Sequence, residues 1–480
     1  MSLTLTDIYL GLGGQHIHPA LAAFPISEFV IDSRRATPGS CFIALPGEHG
    51  DGHDYIAEAI ARGAIAIIAH RMPGNGARVQ TIRPESDPAP ARITPPVLFL
   101  TPNSLIALQN LASYWRGRHT PTVVAITGSV GKTSTKELTA AVLRQHYPTL
   151  WTPGNYNNEI GLPLSLLQLR PEHRYAVLEM GFYVEGEIAQ LCNIAHPDIG
   201  VITNIGPIHL ERAGSMEAIF RGKAELIRAL PPTGRAILNW DDAWVRKMAE
   251  FSQAPVFTYG LSDEADLWAD EIESYGLSGI HFRFHHRTSP GHEELLYVSL
   301  PLLGRHSVHT ALRAAAVGLL AGLSWEEIIR GLRDINARLR IDIAPGYHNS
   351  TIIDDTYNAS PPSTIAALNL LQEMEGRRIA IIGDMLELGS EEEKGHRLVG
   401  ARAAQTCDIL IAVGPRARWI AEEARALGMP HEHVTHVETA EKATAVAQEI
   451  IQPGDYILIK GSRAMHMDEI VPHLTAPVAD

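Results

Sequence analysis

The 480-residue chain has three cysteines, no long apolar run and no surplus of positive charge, and each shortage removes a class of function. Cys41, Cys192 and Cys407 are odd in number, far apart and without C-x-x-C spacing, which fits core thiols in a reducing compartment rather than a disulfide framework. The longest apolar run, Ala314 to Leu323, is too short to span a bilayer. The opening MSLTLTDIYLGLGG places no basic segment before an apolar one, so no leader is read and a cytoplasmic location is expected. The formal charge of -14 argues against nucleic acid or an anionic membrane as partner, because long-range repulsion opposes both. Any phosphate must then be met by a local basic pocket. No internal repeat is found.

What remains is an ordinary globular composition, 45% apolar and 20% charged, long enough for about three domains. Proline and charge cluster in RPESDPAPARITPP (83 to 96), an exposed loop, and the first domain closes after the helical segment Ser104 to Arg116, at RHTP (118 to 121). YAVLEMG (175 to 181) and DIGVITNIG (198 to 206) are apolar strands alternating with helices, an α/β pattern with a parallel sheet. A further set, TIIDD (351 to 355), RRIAIIGDM (377 to 385), CDILIAVG (407 to 414) and DYILIKGSR (455 to 463), reads as a second doubly wound unit. The expected fold is therefore α/β in three domains: a smaller α/β N-terminal domain (1–119), a central P-loop ATPase-like parallel sheet (120–336) and a Rossmann-like C-terminal domain (337–480). GLGG (11 to 14) follows no strand and is read as a turn rather than a dinucleotide fingerprint.

Residues 127 to 137, TGSVGKTSTKE, follow the β-branched run TVVAI and precede apolar residues at helical spacing. A strand, a Gly-rich turn and a helix starting near Lys132 gather backbone N–H groups and the positive helix end around one point, where an anion is held. Lys132 adds a charge for the β- and γ-phosphates, and the Thr133 hydroxyl suits Mg²⁺. The loop is a shortened variant, since Ile126 stands where the usual pattern has its first Gly; GK[ST] alone fits a tight turn with a surface lysine equally well.

In open α/β sheets ligands bind beyond the carboxyl ends of the strands, and those ends carry Glu179, then Thr203 and Asn204, with His209 shortly after. Glu179 closes an apolar strand, where a carboxylate is costly unless it meets a cation; beside a GKT loop a Mg²⁺ ligand is the better reading than a rim salt bridge. NYNNEIGLP (155 to 163) packs Asn155, Asn157 and Asn158 into one loop, suited either to a sugar or carboxylate or to Asx turns. HFRFHHRTSPGH (281 to 292) has no metal spacing and reads as a solvated hairpin.

TGSVGKTSTKE, NYNNEIGLP, LEMG, TNIGPIHLERAGS (203 to 215), DDTYNASP (354 to 361), GDMLELG (383 to 389) and KGSRAMHMDE (460 to 469) occur in an order that resembles the Mur ligases. DSR (32 to 34) and PGEHGDGHDYI (46 to 56) resemble that family's first domain, so the likeness covers nearly the whole chain. The resemblance, strongest to the members that add D-Ala-D-Ala, implies ATP-dependent amide formation between the carboxylate of a UDP-N-acetylmuramoyl-tripeptide and that dipeptide, in a monomer. It implies that Gly128, Ser129, Val130, Gly131, Lys132, Thr133 and Ser134 hold ATP with His306, Ser307, Thr310, Arg338, Asp355, Tyr357 and Asn358. Thr133, Glu179, His209 and a carbamylated Lys223 would bind two Mg²⁺; Lys132, Lys223, His209 and Arg338 would serve catalysis. Asp32, Ser33, Arg34, Asn157, Asn158, Thr203 and Asn204 would hold the UDP-linked substrate.

Two departures stand out. The family's G-R-H-N-x-x-N-A-L appears as GRHSVHTAL, with Ser307 and Thr310 in place of asparagines, and Ala337 stands where Gly precedes the arginine. The competing readings are a superfamily ligase for another amine, which the third-domain motifs disfavour, and a silent nucleotide-fold partner, which predicts loss of Lys132, Glu179 or His209, all present.

Overall fold

The computed structural model describes the chain apart from residues 1–2, 16–18, 48–49, 75–76, 88–91, 290, 335–340 and 477–480. Ala337 and Arg338 therefore lie outside the described residues.

Three sheets carry the architecture. The first contains β1 (Phe29–Val30), β2 (Cys41–Ile43), β3 (Ala66–Ala69), β4 (Gln80–Ile82) and β5 (Val97–Leu100), in the order β1-β2-β3-β5-β4. The second contains β6 (Thr122–Thr127), β7 (Thr149–Trp151), β8 (Tyr175–Glu179), β9 (Ile199–Ile202), β10 (Arg235–Asn239), β11 (Val256–Gly260), β12 (Leu267–Ser274), β13 (Ile280–Ser289) and β14 (His292–Leu300), in the order β14-β13-β12-β11-β10-β9-β6-β8-β7. The third contains β15 (Asp342–Pro345), β16 (Thr351–Asp354), β17 (Arg378–Gly383), β18 (Ile409–Val413), β19 (Val434–Val437) and β20 (Tyr456–Lys460), in the order β15-β16-β20-β17-β18-β19.

By its internal packing the chain forms two compact units. One comprises residues 1–125, 147–181 and 187–199. Its five-stranded sheet is parallel throughout, with Val30, Phe42, Ile67 and Leu98 in one core cluster. The helix Ser104–Gly117 starts where Asn103 accepts hydrogen bonds from the Leu105 and Ile106 N–H groups, satisfying two of its otherwise orphaned donors.

The other unit comprises residues 126–146, 182–186 and 200–480. Its third sheet shows why the apolar strands were legible. Ile379 and Ile381 of β17 belong to one core cluster, Ala380 and Ile382 to another, and Ile457/Ile459 against Leu458 of β20 divide the same way. Successive side chains point to opposite faces, both faces are covered, and the strand therefore reads as a continuous apolar run. Only the edge strand β15 pairs antiparallel in that sheet among the described residues.

The central region is less uniform than its sequence suggests. β10, β11 and β12 pair in parallel, but β12–β13 and β13–β14 are antiparallel, the histidine-rich stretch forming that last hairpin. The three cysteines are buried and outside any disulfide among the described residues, and burial raises the Cys407 thiol to about 12.

The helix Lys132–Leu143, which starts at the phosphate-type loop, is backed by the helix Trp325–Leu332. A Cβ at Gly331 would stand 2.4 Å from the Val142 Cα, so the two backbones touch only because this residue is glycine. Alanine normally favours a helix interior over glycine by about 1 kcal/mol. Gly331→Ala should nonetheless destabilise the protein by about 1–3 kcal/mol through overpacking. A thermal-denaturation midpoint equal to or above wild type would refute that close approach.

Candidate functional site

The turn after β6 sets at its end the N-terminus of the helix Lys132–Leu143, where an anion is favoured. Gly128 and Gly131 have φ of 144° and 83°, values that glycine adopts without strain. A Cβ at Gly128 would lie 1.9 Å from the Thr203 Oγ1, so the loop also needs glycine for its approach to the segment after β9. That segment clamps the turn. The Ser129 N–H donates to the Asn204 carbonyl (2.9 Å), and the Asn204 side chain accepts from the Val130 N–H (2.9 Å) and donates to the Val130 carbonyl (3.2 Å). The Ser129 hydroxyl and the Gly206 backbone exchange two further hydrogen bonds, at 3.0 and 2.8 Å.

Lys132 begins the helix and folds its ammonium back onto the loop, 2.8 Å from the Gly128 carbonyl and 3.2 Å from that of Ser129. Its charge thus sits over the turn. Thr133 and Ser134 occupy the half-buried first helical turn.

A cavity of about 690 Å³ opens beside this loop, and Val130, Gly131, Ser134, Asn204, His306, Ser307, Thr310 and Asp355 all line it. Loop, strand end, helix Ser307–Leu320 and third-sheet residues expected at a nucleotide therefore meet around one space. The His306 ring opens to the cavity but is otherwise crowded by protein atoms, and this desolvation lowers its pKa and favours the neutral ring. Asp355 is 4% exposed and accepts from Lys460 Nζ at 2.5 Å; the same ammonium reaches the Asn358 carbonyl at 2.8 Å. Tyr357 is exposed beside the Arg463 guanidinium.

His209 stands at a left-handed turn (φ 58°), its Nδ1 bonded to Glu387 and its ring edge-on to Tyr183. Burial is the largest influence on its imidazole and pulls the pKa below the usual value. Glu387 acts in the opposite sense, and the charges of Lys132 and Lys223 add to the lowering. Lys223 is 2% exposed on the helix Met216–Arg228, with its ammonium 4.4 Å from the centre of the Phe182 ring. Ile219, Leu226 and Ile227 form the buried side of that helix; Phe220 is only half-buried, against Trp244 and Phe251.

In the other unit, Glu179 ends β8 buried. Asn157 donates to its Oε1 at 2.7 Å, while its Oε2 has no hydrogen-bond partner among the described residues. Asn158 accepts from the Gly161 N–H at 2.8 Å and so starts the helix Gly161–Leu166. Asp32 and Arg34 bond each other at 2.8–3.2 Å, which holds the Asp32 carboxyl near 2, whereas the Ser33 hydroxyl turns to Glu58.

Comparison with known proteins decides the family. The Mur ligase family catalytic domain matches residues 25–97, the Mur ligase middle domain 126–318 and the Mur ligase glutamate ligase domain 339–463. The UDP-N-acetylmuramoyl-tripeptide--D-alanyl-D-alanine ligase of Escherichia coli is 36% identical over 97% of this chain and 96% of its own length. The chain belongs to the Mur ligase family. The Bacillus subtilis ligase of the same name is 33% identical, with 98% of both chains covered. Among solved structures, MurF from Acinetobacter baumannii superposes with a TM-score of 0.82 at 30% identity over 98% of both chains. MurF from Thermotoga maritima in complex with ADP gives 0.77 at 29% identity, covering 93% of this chain and 96% of that one.

Three residues of this Mur ligase were not singled out from sequence: Glu387 on His209, Lys460 on Asp355, and Arg313, whose guanidinium donates to the Thr135 hydroxyl at 2.8 Å. A charge within an apolar run was the available signal in ALRAAAV and YILIK.

The Asn204 clamp gives a direct test. Asn204→Ala leaves the Val130 N–H and carbonyl without their side-chain partner and should lower stability by about 1–3 kcal/mol. Unchanged thermal stability together with unchanged ADP affinity would show that the loop holds its shape without it.

Proposed function

We propose that this Mur ligase joins D-Ala-D-Ala to the tripeptide carboxylate of UDP-N-acetylmuramoyl-tripeptide with cleavage of ATP to ADP, as a cytoplasmic monomer in peptidoglycan precursor synthesis. The observation that carries the reading is full-length likeness to ligases of that name, joined to a glycine loop that borders a nucleotide-sized cavity and carries the Lys132 ammonium on its carbonyls. Among the described residues no helix is long and apolar enough to cross a membrane.

The tripeptide carboxylate is a poor electrophile. Transfer of the γ-phosphoryl group to it gives an acyl phosphate and releases ADP; the dipeptide amine then attacks the acyl carbon, gives up a proton, and phosphate leaves. The N–H groups of the first helical turn and Lys132 bind and orient the polyphosphate, so the chain's main contribution is positioning and charge stabilisation. His306, Ser307, Thr310 and Asp355 surround the nucleoside end, and Arg338, Tyr357 and Asn358 join them in this proposal. Asp32, Ser33, Arg34, Asn157, Asn158, Thr203 and Asn204 are assigned to the UDP-linked substrate.

The residues present fit Mg²⁺. Glu179 offers a buried carboxylate oxygen without a hydrogen-bond partner among the described residues, a hard donor of the kind Mg²⁺ takes. No three His, Cys, Asp or Glu side chains gather as a ready-made cage among the described residues, so a metal here would draw on substrate oxygens as well. Bound Mg²⁺ would screen the negative charges that must meet. Thr133, Glu179, His209 and Lys223 are the ligands we assign to two such ions.

Lys223 is assigned as a carbamate. Lys223 is buried, and a cation is the wrong charge beside a site that collects Mg²⁺. Reaction of the amine with CO₂ inverts the charge and supplies two oxygens.

Phosphate release should require both the UDP-linked tripeptide and D-Ala-D-Ala; equal activity with a single amino acid would assign another amine. Lys132→Ala and Glu179→Ala should each lower turnover by about 10²–10³-fold with the melting temperature kept, and near-normal rates in either would remove that residue from catalysis. Lys223→Ala should be inactive and partly restored by small carboxylates. Since carbamylation needs the neutral amine, wild-type activity should fall as bicarbonate is stripped or pH is lowered. Full activity of Lys223→Ala in bicarbonate-free buffer would overturn the carbamate.

A further inference from the structure

Arg313 lies on the helix Ser307–Leu320, 3% exposed, between Leu312 and Ala314, both fully buried. Its guanidinium donates to three neutral oxygens: the hydroxyls of Thr135 (2.8 Å), Thr310 (2.9 Å) and Tyr259 (3.3 Å). No carboxylate pairs with it among the described residues. Arginine cannot escape this situation by losing its proton, and a buried charge without a counter-ion is strongly unfavourable. Some other group must supply the negative charge.

The position of the guanidinium indicates which. Arg313 lines the 690 Å³ cavity, and a Cβ at Gly131 would stand only 3.1 Å from its Nη2, so it rests against the phosphate loop itself. Helical side chains lean toward the N-terminus of their own helix, which carries this one back past Thr310 to the cavity end. Thr135, its first partner, donates in turn to the Gly131 carbonyl at 2.6 Å, tying the first turn of the loop's helix to the same cation. Three of the five guanidinium N–H groups are used in these contacts, leaving one on each terminal nitrogen.

Of the substituted family positions, only Thr310 meets this side chain among the described residues. The Ser307 hydroxyl turns back to the Leu303 carbonyl (2.6 Å), and Thr310 is bonded to Arg313 rather than presenting an amide. Where the resemblance expects asparagines, this chain brings a cation to the cavity wall.

We propose that Arg313 is a nucleotide-positioning residue whose charge is balanced by the phosphates of the bound nucleotide and whose contacts hold the loop's first helical turn. This rests on reading the cavity as the nucleotide site. The test is equilibrium binding of ADP, AMP and adenosine to the full-length protein, as wild type, Arg313→Met and Arg313→Lys. Methionine keeps much of the length without charge; lysine keeps the charge without the planar fork. ADP affinity should fall at least tenfold in Arg313→Met and by less in Arg313→Lys, adenosine affinity should be unchanged, and the salt dependence of ADP binding should become shallower in the methionine variant. Equal losses for ADP and adenosine, or no loss for ADP, would overturn the proposal. Should Arg313→Met not fold, Arg313→Lys decides: a loss confined to the phosphorylated ligands supports the role, and a uniform loss or none refutes it. A wild-type protein that binds none of the three ligands would instead refute the nucleotide reading.

Discussion

The site depends on a backbone turn whose shape no side chain of the turn could enforce alone. A loop that sets the start of a helix at an anion must be held in shape, and here the strand end at Thr203 to Gly206 does so from outside, with Asn204 accepting from the Ser129 and Val130 N–H groups. Gly128 is required because Thr203 already occupies the space beside it; Gly131 is required both by its φ and by the guanidinium packed against it. The glycines are thus consequences of crowding as much as of conformational freedom. Loss of the clamp would leave the Ser129 and Val130 N–H groups without these acceptors, and the positive helix end would lose its aim.

Around that turn the unit places cations with different degrees of pairing. Lys132 rests on loop carbonyls, Lys460 is joined to a buried carboxylate, and Arg313 meets neutral hydroxyls. A carboxylate partner spends a cation's charge locally, whereas carbonyls and hydroxyls leave most of its field directed at whatever enters the cavity. On this argument Lys460 organises the turn around Asp355 and Asn358, while Arg313 remains electrostatically available to phosphate.

What the sequence made legible follows from how each feature is specified. β17, β18 and β20 are covered on both faces, so their burial is written into consecutive residues. The phosphate loop is likewise local: strand, glycines, lysine and helix all lie between Thr122 and Leu143. β12 to β14 were harder, because antiparallel strands with one exposed face alternate apolar and polar side chains and here carry several histidines. The asparagine loop was ambiguous for a physical reason as well. Asn157 supports a buried carboxylate while its neighbour Asn158 caps a helix, and identical side chains carry no sign of which does which.

The residues that sequence reading passed over have partners far away in the chain. Arg313 bonds a hydroxyl 178 residues distant and another 54 distant, Lys460 a carboxylate 105 distant, and Glu387 a histidine 178 distant. Periodicity cannot register such pairs, because each member taken alone is only a charge in the wrong place. That misplacement is nevertheless informative. Burying a charged group is so unfavourable that a lysine closing YILIK or an arginine inside ALRAAAV must be answered by something the fold or a ligand brings to it. For Lys460 the answer is folded into the chain as Asp355. For Arg313 the chain supplies only hydroxyls, and the remaining charge is left to the cavity it faces.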